Sequence, residues 1–158
     1  MKIILTAVGT QGDIEPFLAV GKTLKEKGHQ IICAFLEEFR ELTESNELEF
    51  ASLGSKLSDL QNSDSGKIAM GGGKGLKKTF AFIKLVMKST GPNKEKETKL
   101  YELIIQERPD RVLYNSKTTC PIIWEYKNSG KTTFLSPFPY LHYVKGHSLL
   151  VFTSVRLN

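Results

Sequence analysis

The sequence predicts an α/β fold, a parallel sheet with helices on both faces, and three observations carry that prediction. Residues 2–8 (KIILTAV) form a short apolar, partly β-branched run of the kind that parallel sheets cover on both faces. A glycine turn, an amphipathic helix and a second apolar run at 31–35 (IICAF) follow, which makes a βαβ unit. Beyond it, candidate strands and helices alternate through to Ser136.

Gly9-Thr10-Gln11-Gly12 ends the first strand, and its two glycines let the backbone turn sharply and let another group approach closely. Pro16 is expected in the first turn of the helix, where its missing N–H is no loss. Phe17, Leu18, Val20, Gly21 and Leu24 then give one buried face, opposite Lys22, Lys25, Glu26 and Lys27. Gly28 occupies the left-handed cap position, and His29-Gln30 lead into the second strand. Residues 37–46, with Phe39 and Leu42 on an acidic background, suit a short surface helix. Residues 48–53 (LEFASL) alternate as a third strand.

From 54 to 75 the periodicity disappears among Ser, Gly and Asp, and the expectation is a mobile loop within the domain. Residues 76–89 then read as an amphipathic helix, with Leu76, Phe80, Ile83 and Met87 in one stripe and Lys77, Lys78, Lys84 and Lys88 opposite. Such a helix suits a crossover packed on the sheet, and its basic face also suits peripheral contact with an anionic bilayer. Gly91-Pro92 is expected to break it, with a second helix at 94–107 carrying Leu100, Leu103 and Ile104. Arg108-Pro109-Asp110 leads to a fourth strand at 111–114. A helix at 118–128 is expected to turn Ile122, Ile123 and Tyr126 inward, before a fifth strand at 131–136. Two prolines stiffen the loop that follows, and Phe138, Tyr140, His142 and Tyr143 line it with rings. The apolar residues 149–155 are too few to close another βα unit.

At 158 residues, with 40% hydrophobic and 25% charged residues, the chain has the size and composition of one globular domain. A net charge of +5 without an arginine cluster or a stacking platform argues against nucleic acid. There is neither an apolar run of about 18 residues nor a charged-then-apolar leader, so the expectation is that nothing spans a membrane or directs export. Cys33 and Cys120 read as two reduced core thiols, which points to a cytoplasmic setting.

The chemistry concentrates after the first strand. Gly9 and Gly12 are spaced G-x-x-G rather than G-x-G-x-x-G, and the acid that follows would repel a pyrophosphate, which argues against a nicotinamide or flavin site. Gly71 to Gly75 lacks the hydroxyl residue and the preceding strand of a phosphate loop. His29 reads as structural. His142 and His147 have no Cys or carboxylate cluster beside them, so no metal site is expected. Asp13 fits a proton acceptor or a ligand for a hydroxyl. It equally fits a helix N-cap, since it stands just before the expected helix, and a carboxylate that accepts backbone N–H bonds is a weaker base; Glu15 is an alternative cap. In open α/β sheets ligands bind beyond the carboxyl ends of the strands, so the 9–13 turn and the 136–142 loop share one rim.

The stretch GTQGDIEPFLAVGKTLKEKGHQIICA resembles the opening motif of family 28 of the UDP-sugar-dependent glycosyltransferases, which act on sterols, antibiotic aglycones and glycolipids. The resemblance resumes at Arg108-Pro-Asp110 and at Ser136-Pro-Phe-Pro-Tyr140. It implies a Rossmann-like N-terminal half of a GT-B architecture, with residues 1–158 as an acceptor-binding domain shorter than the family's own. It further implies an inverting transfer of a hexosyl group from a UDP-sugar to a hydroxyl of a hydrophobic acceptor, without any other cofactor. A second, donor-binding domain or partner chain would complete the cleft. By the same resemblance Asp13 is the base, Gly9, Thr10, Gln11 and Gly12 contact the donor, and Pro137, Phe138, Tyr140 and His142 line the acceptor pocket. The residues alone leave a second reading open, a non-catalytic module that binds an acceptor and docks a partner.

Overall fold

A computed structural model describes residues 1–55 and 76–136, the stretch 76–89 as backbone together with the Met87 side chain. The first strand, β1 (Lys2–Thr6), buries Ile3, Ile4, Leu5 and Thr6 in succession, as its unbroken apolar run requires of a strand covered on both faces. β2 (Gln30–Phe35) lies parallel to it with Leu5 beside Cys33, and β3 (Glu49–Ser52) follows outward. On the other side of β1 come β4 (Arg111–Tyr114), with Leu5 beside Leu113, and β5 (Thr132–Phe134). The result is a Rossmann-like parallel sheet in the order β3-β2-β1-β4-β5.

The helices are α1 (Gln11–Glu26), α2 (Arg40–Ser45, after a 3₁₀ turn at Glu37–Phe39), α3 (Leu76–Glu107) and α4 (Cys120–Lys127). The chain steps from β1 to β2 to β3 in one direction and then returns past β1 to β4 and β5. Right-handed crossovers therefore put α1 and α2 on one face, α3 and α4 on the other. α1 lies close on the sheet because Gly21 has no side chain: a Cβ there would stand 2.9 Å from Leu5 Cδ1 and 3.0 Å from Leu48 Cδ1. Phe17 of the same helix meets Phe35 edge to face at 6.5 Å. Strand alternation gives Leu5, Ile31, Cys33 and Phe35 to this layer and Ile4, Thr6 and Val112 to the opposite one, whose helices bury Leu100, Ile104 and Trp124.

Gly28 takes the expected left-handed cap conformation at φ +81°, and its N–H and that of His29 return to the carbonyls of Lys25 and Leu24. Cys33 and Cys120 are free and buried, and burial pushes their thiols up to about 12 and about 11.

Three expectations are corrected. α1 starts at Gln11, so Gly12 belongs to its first turn and Pro16 sits one turn deeper than expected. The helix can begin early because a reciprocal cap between Thr10 and Asp13 satisfies its first amides, and Pro16 then withholds a donor only from the Gly12 carbonyl, at an exposed residue. α3 runs for 32 residues through Gly91-Pro92 without a break. Pro92 deprives only the Lys88 carbonyl of its intrahelical donor, at a surface where Thr90 and Gly91 are exposed to water. In α4 the buried side is Cys120, Pro121 and Trp124, while Ile122, Ile123 and Tyr126 face outward, Tyr126 at 93% exposure. The indole buries more area than either isoleucine, and with Cys120 four residues earlier it sets which way this short helix turns.

No described helix is long and apolar enough to cross a membrane. The expected loop at 54–75 lies, beyond Ser55, outside the described residues. So do the side chains behind the membrane-contact expectation and everything read from residue 137 onward.

Candidate functional site

Strand order reverses between β1 and β4, so the segments that leave their carboxyl ends turn to opposite faces of the sheet, and in open α/β folds the crevice between such segments is where ligands bind. Asn115 fastens the two walls. Its Nδ2 donates to the Val8 carbonyl at 2.9 Å, and its Oδ1 accepts from the amides of Val8 at 3.4 Å and Lys117 at 3.2 Å. A buried asparagine with both ends of its amide engaged is a rigid joint.

The segment between β4 and α4 is held from behind as well. Lys96, on α3 and only 3% exposed, donates to the Lys117 carbonyl at 3.1 Å and pairs with Glu97 at 2.9 Å. Glu97 in turn accepts from the Cys120 amide at 2.6 Å and the Thr119 amide at 3.3 Å, so its carboxylate sits on the first amides of α4. Partial burial raises the Glu97 pKa, but the Lys96 ammonium and the α4 amides outweigh it and hold the carboxyl below its ordinary range.

Into this crevice α1 brings Asp13. Its Oδ2 accepts from the Thr10 amide at 2.9 Å, from the Thr10 hydroxyl at 3.2 Å and from Lys117 Nζ at 2.9 Å. Among the described residues no hydrogen bond reaches Oδ1. The Asp13 side chain is 12% exposed and that of Lys117 45%. Burial pushes the Asp13 carboxyl up, yet the bonds from Lys117 and from Thr10, with the charge of Lys117, prevail and hold it below the usual carboxylate value. Gly9 makes the arrangement possible: at φ +147° it accepts a conformation that side chains disfavour, and a Cβ there would lie 2.1 Å from Asp13 Oδ2 and 2.6 Å from Lys117 Nζ.

The structure thus brings Gly9, Thr10, Gln11, Gly12 and Asp13 together at the rim, with Thr10, Gln11 and Gly12 exposed. Asp13 is not the N-cap that residue type suggested. Thr10 holds that position, and Asp13 is the third helical residue, reaching back to the Thr10 amide. Glu15 is not the cap either; it accepts from Gln11 Nε2 at 2.6 Å on the outer side of α1. His29 is half-buried at the opposite end of the sheet. Pro137, Phe138, Tyr140 and His142 lie outside the described residues. Sequence reasoning missed Asn115 and Lys117. The signal was there: in a fold whose ligands gather where the order reverses, the first polar residues after β4 belong to the site as much as those after β1.

Residues 3–103 match the family model described as the glycosyltransferase family 28 N-terminal domain. A sterol 3-beta-glucosyltransferase of Arabidopsis thaliana is 41% identical over 54 residues, covering 34% of this chain and 8% of the plant protein. The O-mycaminosyltylonolide 6-deoxyallosyltransferase of Streptomyces fradiae is 38% identical over 50 residues, 32% of this chain and 12% of the relative. Among solved structures, the glycosyltransferase SsfS6 of Streptomyces sp. SF2575, complexed with thymidine diphosphate, superposes with a TM-score of 0.59 at 15% identity, covering 86% of this chain and 38% of that one. TcCGT1 in complex with UDP gives 0.57 at 16% identity, over 85% and 28%. The likeness to these two is one of fold: the chain superposes on part of each, with the described sheet among the residues compared. The chain spans about an eighth or less of these curated relatives and under two fifths of either solved structure. With the family model matching residues 3–103, the chain belongs to glycosyltransferase family 28, of which it carries the N-terminal domain.

Proposed function

We propose that this chain is the acceptor-side half of an inverting glycosyltransferase that moves a hexosyl group from a UDP-sugar to a hydroxyl of a hydrophobic acceptor, such as a sterol, lipid or aglycone. The observation that carries the reading is the Asp13 carboxylate, anchored through Oδ2 by three donors, with no hydrogen bond to Oδ1 among the described residues, at the carboxyl-end crevice of the sheet. Asp13 is the base. As the acceptor oxygen bonds to the anomeric carbon, its proton passes to Oδ1, while the bond from that carbon to the diphosphate oxygen breaks and its electron pair leaves with the diphosphate. A carboxylate with a lowered pKa is a modest base, but it is ionised at every physiological pH and its position is fixed; a proton that moves as the new bond forms needs position most.

Gly9, Thr10, Gln11 and Gly12 lie beside that carboxylate where α1 begins, and are proposed to contact the donor. Pro137, Phe138, Tyr140 and His142 are proposed to line the acceptor pocket. The sterol and tylonolide named among the relatives support a hydrophobic acceptor, and the nucleotide complexes of the structural neighbours support a nucleotide-sugar donor. A second domain or partner chain is proposed to hold the nucleotide.

The test joins this chain to a donor-binding domain and follows sugar transfer from UDP-glucose to a sterol. Asp13→Asn is expected to lower kcat by about a hundred- to ten-thousand-fold with acceptor binding retained. Normal turnover by the variant would overturn the assignment. It would favour instead a non-catalytic acceptor-binding module, a reading that the capping role of Asp13 already supports.

A further inference from the structure

Lys117 is the cation that meets Asp13, and its surroundings are more elaborate than a surface lysine needs. We propose that Lys117 is a positioning residue for proton transfer: by holding Oδ2 from across the crevice it fixes the Asp13 carboxylate in place and leaves Oδ1 as the oxygen that meets the acceptor hydroxyl. The proposal rests on the reading of Asp13 as the base.

Three features carry it. The two Thr10 donors belong to the same turn as Asp13 and move with α1, whereas Lys117 comes from the segment after β4, so among the described residues it alone ties the carboxylate to the opposite wall. The Lys117 backbone is fixed on both sides, its amide on Asn115 Oδ1 and its carbonyl on buried Lys96. A partly exposed ion pair contributes little to stability of itself, so holding the ammonium in place is a role this support fills in addition to stabilising the segment. The charged neighbours also leave Lys117 to act on Asp13. Lys96 is engaged with Glu97 behind the segment, and Glu15 bonds Gln11 on the outer side of α1.

During transfer the proton goes from the acceptor hydroxyl to Oδ1, and Lys117 keeps its own proton and its place on Oδ2. Its charge then favours loss of the new proton to solvent, which returns Asp13 to the ionised state for the next cycle. Lysine thus acts before and after the bond-making step without touching the substrate.

The experiment is an NMR pH titration of the Asp13 side-chain carboxyl in the 158-residue chain, in the original sequence and in Lys117→Met and Lys117→Arg, beside pH profiles of kcat/KM in the enzyme joined to its donor domain. Lys117→Met is expected to raise the Asp13 midpoint by about half a unit to one unit, and Lys117→Arg to restore most of it. The acid limb of kcat/KM is expected to move up by the same amount. An Asp13 midpoint unmoved in Lys117→Met, with the amide spectrum of the fold intact, overturns the proposal alone. Full turnover by Asp13→Asn removes the base reading and this proposal with it. Should Lys117→Met not fold, Lys117→Gln removes the charge while keeping a polar end, and the same midpoint decides.

Discussion

Acids and a lysine meet at both ends of β1, and the two ends differ in what the sheet around them offers. At the amino end, Asp110 accepts from the Lys2 amide at 2.7 Å and the Lys2 ammonium pairs with Glu107 at 2.9 Å. Those groups stitch the end of α3 and the start of β4 to the first strand. At the carboxyl end, Asp13 and Lys117 meet over a glycine at the point where strand order reverses, and one carboxylate oxygen has no partner among the described residues. Residue type does not separate the two. What separates them is the end of the sheet, since only the carboxyl end of a parallel sheet opens a crevice between diverging connections.

The change expected to break the contrast most sharply is Gly9→Ala. Its Cβ would fall 2.1 Å from Asp13 Oδ2, in a backbone conformation that alanine resists, so the carboxylate must leave its present place. Denaturant unfolding is expected to show a loss of about 1–3 kcal/mol from the strained backbone. Sugar transfer by the joined enzyme is expected to fall towards the level of Asp13→Asn. A variant of full activity would show that the carboxylate does not need its present place.

Lys96→Met comes next and touches the site only from behind. The ammonium is buried and serves both the Lys117 carbonyl and Glu97, so its loss leaves a carbonyl and a half-buried carboxylate short of a partner. The expected cost is about 1–3 kcal/mol, read by denaturant unfolding. Hydrogen exchange at Lys117 to Cys120 is expected to quicken more than exchange in β2.

The carboxyl end also predicts how stability depends on pH. The folded Asp13 and Glu97 carboxyls both lie below their ordinary values, so their contribution is complete above the unfolded pKa, near 4, and is lost as pH falls through the folded values. Unfolding curves are therefore expected to lose stability below about pH 4, and Asp13→Asn to flatten that decline.

Much of this was legible in local pattern. The unbroken apolar run of β1, the helical spacing of Phe17, Leu18 and Leu24, and the glycine at 28 each report a conformation through neighbours a few residues away. Asp13 was visible for the same reason, standing where a strand gives way to a helix. What was not legible depended on distance in the chain or on competition between faces. Lys117 reaches Asp13 across 104 positions, a contact that exists only because β4 pairs with β1. The outward turn of Ile122 and Ile123 follows from the larger area of Trp124, and Pro92 reads as a stop only until the helix around it is long enough to spare one bond.

The smallest effects are expected at the amino end, where they sharpen the comparison by their absence from the chemistry. Asp110→Ala removes the acceptor of the Lys2 amide and is expected to cost about 1 kcal/mol, a fall in Tm of about 2–4 °C. Asp110→Asn keeps an oxygen in the same place and is expected to cost about half as much or less. Neither is expected to move the Asp13 midpoint or the rate of transfer, because β1 separates the two ends and, among the described residues, Asp110 bonds only with its amino-end neighbours. A loss of turnover in Asp110→Asn without a loss of stability would mean that the two ends are coupled through β1, and that Arg108-Pro109-Asp110 acts on the site instead of only holding the sheet that carries it.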